Sequence, residues 1–363
     1  MQIHLVIPGL IWPGISAISP VSGLELPALA RMLGFGRHHV AAFEPLDRQL
    51  AGLFGYATSG SDSDPLPSAA LRRLGEPAMD APARDNLLLC ADPVNLSFAR
   101  EHLLLNELAD DDLEPAEVAA LIASLNDTFS DLGRFEAGTP TRWYLNLAAA
   151  TQVRLYPVHD VIGRPIKDFL PEGKDARLWQ RTMNEAQILL HNHPVNQRRE
   201  SAGRRPANSL WFWGAGMLRS GSPSCTSTVQ SHDPLTRGLA RSAGIVCGVP
   251  DYHAALKQDT LVVLDKLLKP ALQLDIDNWR THLAELERDW FGPLADALRA
   301  KRLHTLKLTA PGDRGTFELV VRASDGWKFW RKPCPFDTLL KSLQPVPTHL
   351  SGHSADANEH PAR

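Results

Sequence analysis

The chain has 363 residues, of which 44% are apolar and 22% charged, with 38 Lys and Arg against 41 Asp and Glu. Those proportions exclude wholesale disorder and a fibrous chain. A net charge of −3 supplies no global positive field for a nucleic-acid backbone.

The first 24 residues carry no Lys, Arg, Asp or Glu, yet Pro8, Pro13 and Pro20 interrupt the run and the basic start of a secretory signal is missing. No later window approaches the roughly 20 apolar residues of a membrane span. Cys90, Cys225, Cys247 and Cys334 lack CxxC pairing and read as small buried hydrophobes in a reducing compartment. The expectation is a cytoplasmic protein that engages neither nucleic acid nor membrane.

Residues 3–7 are apolar apart from His4 and meet Pro8-Gly9, the pattern of a strand entering a loop. Turn chemistry at 57–67 and 77–86 brackets a short helix over 69–74. A compact apolar run at 86–90 has strand length. Val118, Leu121, Ile122, Leu125 and Phe129 then fall at helical spacing behind Pro115. Residues 143–147 and 152–156 read as paired strands, and a helix over 176–190 must stop near His193 because Pro194 follows. Residues 209–213 and 260–264 read as buried strands. Trp279, Leu283, Leu286, Trp290, Leu294 and Leu298 trace one stripe of a single long helix capped by Asp277 or Asn278. Strands at 306–309, 316–322 and 327–331 close the fold, and 346–363 has the composition of a disordered tail.

Several standard motifs are absent. Gly214-Ala215-Gly216 has Arg219 where a dinucleotide loop places its third glycine, and no P-loop, GxSxG or HExxH pattern occurs. His191 and His193, with His159 or His232, do not amount to a zinc set, and adjacent His38 and His39 diverge in any regular structure. Two segments stand out. Arg198, Arg199, Arg204 and Arg205 cluster around Gly203, with Asn196 and Asn208 nearby, a composition suited to an anion or to a solvated loop. His159-Asp160 forms a vicinal pair in a turn, suited to acid–base work or to simple capping.

Together PVHDVIGRPI (157–166), FLPEG (169–173) and HNHPVNQRRESAGRRPANSLWFWGAG (191–216) resemble the archaeal-type cofactor-independent phosphoglycerate mutase family in order and spacing. Leu53-Phe54-Gly55-Tyr56, the stretch 233–240 and the helix over 279–298 extend the resemblance across most of 1–320, most strongly from about 88 to 245. Segments 91–106 and 141–147 also look like bacterial proteins labelled regulatory protein of the RpfE type. The resemblance implies an α/β fold: an alkaline-phosphatase-like domain split in sequence, over 1–87 and 207–345, with a smaller α+β substrate-binding-like domain inserted at 88–206 and a tail from 346.

The family's chemistry uses two divalent cations and a serine that is transiently phosphorylated. In this sequence Ile7-Pro8-Gly9 stands at the first metal turn, Leu46 at the serine position beside Asp47, 267–272 at a ligand segment without any ligand, and Arg314 where a histidine is expected. The expectation is therefore a catalytically degenerate relative, with no catalytic residues, no bound metal pair and no cofactor, that binds a small anionic or phosphorylated ligand or a protein partner in a regulatory role. The ligand site falls on Arg142, His159, Asp160, Asn196, Arg199, Arg204 and Asn208. His159, Asp160, Asn196, Arg199 and Asn208 match family motif positions; Arg142 and Arg204 rest on chemistry alone. The alternative is an active mutase or metal-dependent phosphohydrolase with Asp47, Asp265, Asp275, Asp277 and Asp313 as replacement ligands. A third reading makes Trp211, Trp213, Trp327 and Trp330 a partner surface, set against core packing of the same indoles.

Overall fold

The computed structural model describes residues 1–14, 19–56, 66–99, 102–109, 111–219, 227–328 and 330–343. Twelve strands among them form two sheets. The first sheet contains β1 (Gln2–Val6) and β2 (Arg37–Ala41), the second β3 (Leu87–Ala99), β4 (His102–Glu107), β5 (Gly133–Ala137), β6 (Trp143–Leu147) and β7 (Ser209–Met217). The chain then returns to the first sheet with β8 (Thr228–Ser231), β9 (Val246–Gly248), β10 (Thr260–Val263), β11 (Thr305–Pro311) and β12 (Thr316–Arg322).

The first sheet runs β2-β12-β11-β1-β10-β8-β9, parallel from β11 through β9 and antiparallel at β12 and β2. Its middle strands are buried on both faces, and the two-residue period divides their side chains. Ile3, Leu5 and Val262 pack with the helices Pro27–Phe35, Ile276–Leu286, Gly292–Arg299 and Phe336–Leu343. Val6, Leu261 and Val263 pack with Leu46–Leu53, Ser68–Gly75 and Pro234–Ser242.

The second sheet is antiparallel, in the order β4-β3-β6-β5, with β7 also pairing β3. One face carries Leu89, Trp143 and Phe212 against the helices Pro115–Thr128 and Ala176–His191. The other carries Cys90, Tyr144 and Trp213 against Ala69 and Ala70. The helix Ser68–Gly75 thus serves both cores, and the α/β class with an interrupting second sheet is observed. Strand β7, read from sequence as part of the returning half, belongs to the inserted sheet.

Three local expectations need correction. Residues 152–156 form no strand beyond an isolated bridge between Arg154 and Glu172, and β6 pairs with β3 and β5 instead. Trp327 ends a 3₁₀ turn, Ala323–Trp327, Lys328, Trp330 and Arg331 lie in no strand, and residue 329 lies outside the described residues. The long helix is interrupted by a π turn at Glu287–Phe291, capped by Asp275 rather than by Asp277 or Asn278. Pro293 cannot donate to the helical ladder, which accounts for a register change just before it. The turn points Glu287 inward, where its carboxylate accepts the amides of Ala28 at 2.6 Å and Leu29 at 3.2 Å and caps another helix. Cys90 is buried as expected, Cys247 and Cys334 are half-buried, and both Cys225 and the tail lie outside the described residues.

Candidate active site

Ligands of open α/β sheets collect outside the carboxyl ends of the parallel strands, and the inserted sheet packs beside that edge. The helix Leu46–Leu53 starts after Pro45 and brings Asp47 there, buried. Asp47 Oδ2 accepts the Ser68 hydroxyl at 3.0 Å, and its Oδ1 lies 3.3 Å from His159 Nε2 on the inserted domain. Asp160 Oδ1 lies 3.8 Å from the same nitrogen. The His159 ring stands edge-on to Trp213, with centroids 6.1 Å apart. Although buried, His159 Nε2 makes no aligned hydrogen bond among the described residues, because its approach to Asp47 is close but poorly directed. It is a buried ring nitrogen whose hydrogen-bonding capacity is not satisfied among the described residues.

Burial pushes the Asp47 carboxyl above its usual range, with Asp160 and Asp233 adding to the rise and His159 and Ser68 opposing it. Asp265, just past β10, is raised by burial and then by Asp233. Asp233 itself caps the helix Pro234–Ser242, accepting the Thr236 amide at 2.8 Å and the Thr236 hydroxyl at 2.6 Å. The edge therefore carries acids that disfavour one another's ionisation. Sequence reading missed Ser68 and Asp233 as members of it. The Asp-Pro-Leu-Thr pattern at 233–236 signals a helix cap, but nothing local signals that the cap abuts Asp47.

The other residues expected in the ligand site are engaged elsewhere. Asn196 is fully buried, donating to the carbonyls of Leu190 and Ala207 and accepting the Ala207 amide, so it ties the 191–207 loop shut. Arg199 is buried, with its guanidinium donating to the carbonyls of Arg205 and Asp112 and to Glu117 at 2.7 Å. Arg204 reaches Glu114 at 3.1 Å and the Asp112 carbonyl at 2.8 Å. Asn208 bridges the amide and carbonyl of Leu96. Arg142 holds Glu76 with two bonds, at 2.7 and 3.1 Å. Only His159 and Asp160 of the seven face the strand edge with Asp47. The arginines instead secure loops, since the backbone turns at 112 and 205 leave carbonyls that need donors.

The resemblance implies two cations, and the donor set does not fit them. Pro8 has no side-chain ligating atom, the Gly9 carbonyl accepts the Trp279 indole at 2.7 Å, and a Cβ on Gly9 would meet the Leu267 carbonyl oxygen at 2.5 Å. Of the replacement ligands considered, Asp275 caps a helix, Asp277 lies in that helix's first turn, and Asp313 pairs with Arg314 at 3.7 Å. Only Asp47 and Asp265 adjoin the edge. Among the described residues no three His, Cys, Asp or Glu side chains stand together as a metal-holding group. His193 Nδ1 accepts the Val195 amide at 3.2 Å at the start of the helix Pro194–Ser201, a capping role.

Residues 91–196 match the profile of the 2,3-bisphosphoglycerate-independent phosphoglycerate mutases. The chain is 28% identical over 298 residues to the enzyme of that name from Methanothrix thermoacetophila, covering 79% of this chain and 71% of that protein. Identity is 33% over 145 residues to 2,3-bisphosphoglycerate-independent phosphoglycerate mutase 2 of Methanothermobacter thermautotrophicus, covering 39% of this chain and 36% of that one. It is 29% over 246 residues to a probable mutase of the same kind from Geobacter sulfurreducens, covering 62% and 59%. A solved cofactor-independent phosphoglycerate mutase from Thermoplasma acidophilum superposes with a TM-score of 0.44 at 18% identity, over 88% of this chain and 89% of that one.

Proposed function

We propose that the chain is a member of the 2,3-bisphosphoglycerate-independent phosphoglycerate mutase family that binds a small phosphorylated or carboxylated hydroxy acid where Asp47 and Ser68 face His159 and Asp160, and does so without the family's metal-dependent transfer. A binding member of this kind would serve a regulatory rather than a metabolic role. The supporting observation is the buried, unpartnered His159 Nε2. As an N–H it offers one directed donor to an anionic oxygen, and the burial that raises the Asp47 carboxyl disfavours the charged form that would repel such an anion. The closure of the Gly9 turn by the Trp279 indole N–H and the Leu267 backbone favours binding over transfer, because it engages the Gly9 carbonyl and leaves no room for a larger side chain there.

A second reading, an active mutase with rearranged ligands, is favoured by the names of the relatives and by the neighbouring acids Asp233 and Asp265, whose mutual repulsion a cation would relieve. Titration calorimetry with 3-phosphoglycerate, in the presence of a chelator and then of manganese, separates the two. The first reading expects metal-independent heat that disappears in His159→Ala, without turnover to 2-phosphoglycerate. Two bound metal equivalents with turnover establish the second, and no heat with any phosphate or hydroxy acid removes the first.

A further inference from the structure

The net charge of −3 averages over an uneven surface. The helix Pro27–Phe35 ends against the segment after the 3₁₀ turn Ala323–Trp327. Arg331 Nη1 donates to the carbonyls of Phe35 at 3.3 Å and Gly36 at 2.9 Å, and Lys328 Nζ donates to that of Phe35 at 3.3 Å. Those bonds satisfy a helix C-terminus and pin the segment, and Trp327 and Trp330 project from it at 76% and 67% exposure. Trp211 and Trp213, by contrast, are core residues.

The surroundings are cationic. Arg31 lies over the Phe35 ring at 5.2 Å, Arg37 opens β2 directly after that helix, and Lys332 follows Arg331. The Ala323 amide bonds the His304 carbonyl at 2.9 Å, and exposed Lys301 and Arg302 stand just before His304 in the chain. Lys328 pairs with Asp325, but among the described residues no carboxylate pairs with Arg31, Arg37, Arg331 or Lys332.

We infer that this face docks on an anionic phospholipid surface, with the two indoles at headgroup depth and the cations against lipid phosphates. Indole rings favour the membrane interface because one part is apolar and the N–H is polar, and basic side chains add attraction that salt screens. A protein partner would have to supply shaped pockets for both protruding rings and an acidic rim, whereas a bilayer surface accepts them without a shaped site. Total charge and span length, on which the expectation of no membrane contact rested, are blind to a local patch of this kind. The inference does not depend on the ligand site.

The test is co-sedimentation of the full chain with vesicles of phosphatidylglycerol and phosphatidylcholine, and with phosphatidylcholine alone. Expected are pelleting on the anionic vesicles only, weakening with salt, and at least a tenfold lower partition coefficient for Trp327→Ala/Trp330→Ala and for Arg37→Glu/Lys332→Glu. The melting temperature should stay that of the parent. Lys332→Glu alone, on an exposed side chain, preserves the test if a double variant does not fold. No pelleting on anionic vesicles, equal pelleting on neutral ones, or full retention by folded variants overturns the inference. Binding of a single-stranded oligonucleotide without vesicle binding does so as well.

Discussion

His4 and Asp47 show burial, as the largest cause, shifting two groups against their charged forms. His4 sits mid-strand in β1, bonded to Thr309 Oγ1 at 2.9 Å, and burial followed by the Lys307 charge lowers its pKa to about 4. The folded state keeps it neutral while the unfolded chain protonates it near pH 6.5, so stability falls as the pH drops from about 6.5 to about 4. That loss amounts to about 3 kcal/mol, and His4→Gln should flatten the acid limb of a denaturation series over that window. Asp47 has the opposite sign. Its folded pKa is raised, so the folded state binds the proton more tightly and stability falls as pH rises above the unfolded value of 3.8. Asp47→Asn should therefore melt above the parent at pH 8, with the gain shrinking toward pH 4. An unchanged difference across that range would show that folding does not raise the Asp47 carboxyl. The His159-Asp160 pair was visible in the sequence because both residues are adjacent, but Asp47 and Ser68 are not, and their contact exists only after folding.

The helix Ser68–Gly75 joins the two cores through one buried polar chain. Arg72 donates two bonds of 2.7 Å to Asp92 and a third to the Tyr144 hydroxyl at 3.1 Å. Tyr144 in turn donates to Glu76 at 2.9 Å, and the Trp213 indole donates to Asp92 at 2.8 Å. The guanidinium also lies over the Tyr144 and Trp213 rings, at 4.8 and 5.0 Å. Arg72→Ala would leave Asp92 buried and unpaired, at a cost of about 3–5 kcal/mol, whereas a paired apolar replacement of both residues should recover much of it. Chemical denaturation of the two variants measures the contrast. On its far side the same helix packs backbone to backbone on Pro234–Ser242, where a Cβ on Gly238 would meet the Leu71 carbonyl oxygen at 1.7 Å. Gly238→Ala should therefore separate these helices and lower the melting temperature more than a Gly→Ala change at exposed Gly52, where nothing lies within 4 Å.

The insertion of one sheet into the other divides the chain's contacts without dividing its stability. Helix 68–75 contributes Leu71 to the first sheet's core and Ala69 and Ala70 to the second's, so neither core is complete without the other. Unfolding followed by tryptophan fluorescence and by far-ultraviolet circular dichroism should give coincident transitions, and Arg72→Ala should separate them. Two resolved transitions in the parent would mean that the domains are held apart energetically.

Periodicity and turn chemistry act over a few residues, so the strands at 2–6, 260–263 and 316–322 and the helices at 115–128 and 176–191 could be read directly. The spacing of the 157–216 motifs could be read too. Whether a polar side chain faces a ligand or closes a loop was decided by long-range contacts. Arg199 and Asn208 have the composition of an anion site, yet their partners lie at Asp112, Glu117 and Leu96, which no local pattern connects to them. The physical reason is that a buried hydrogen-bonding group must find a partner wherever the chain brings one, and only the folded packing of two interleaved domains specifies where that is.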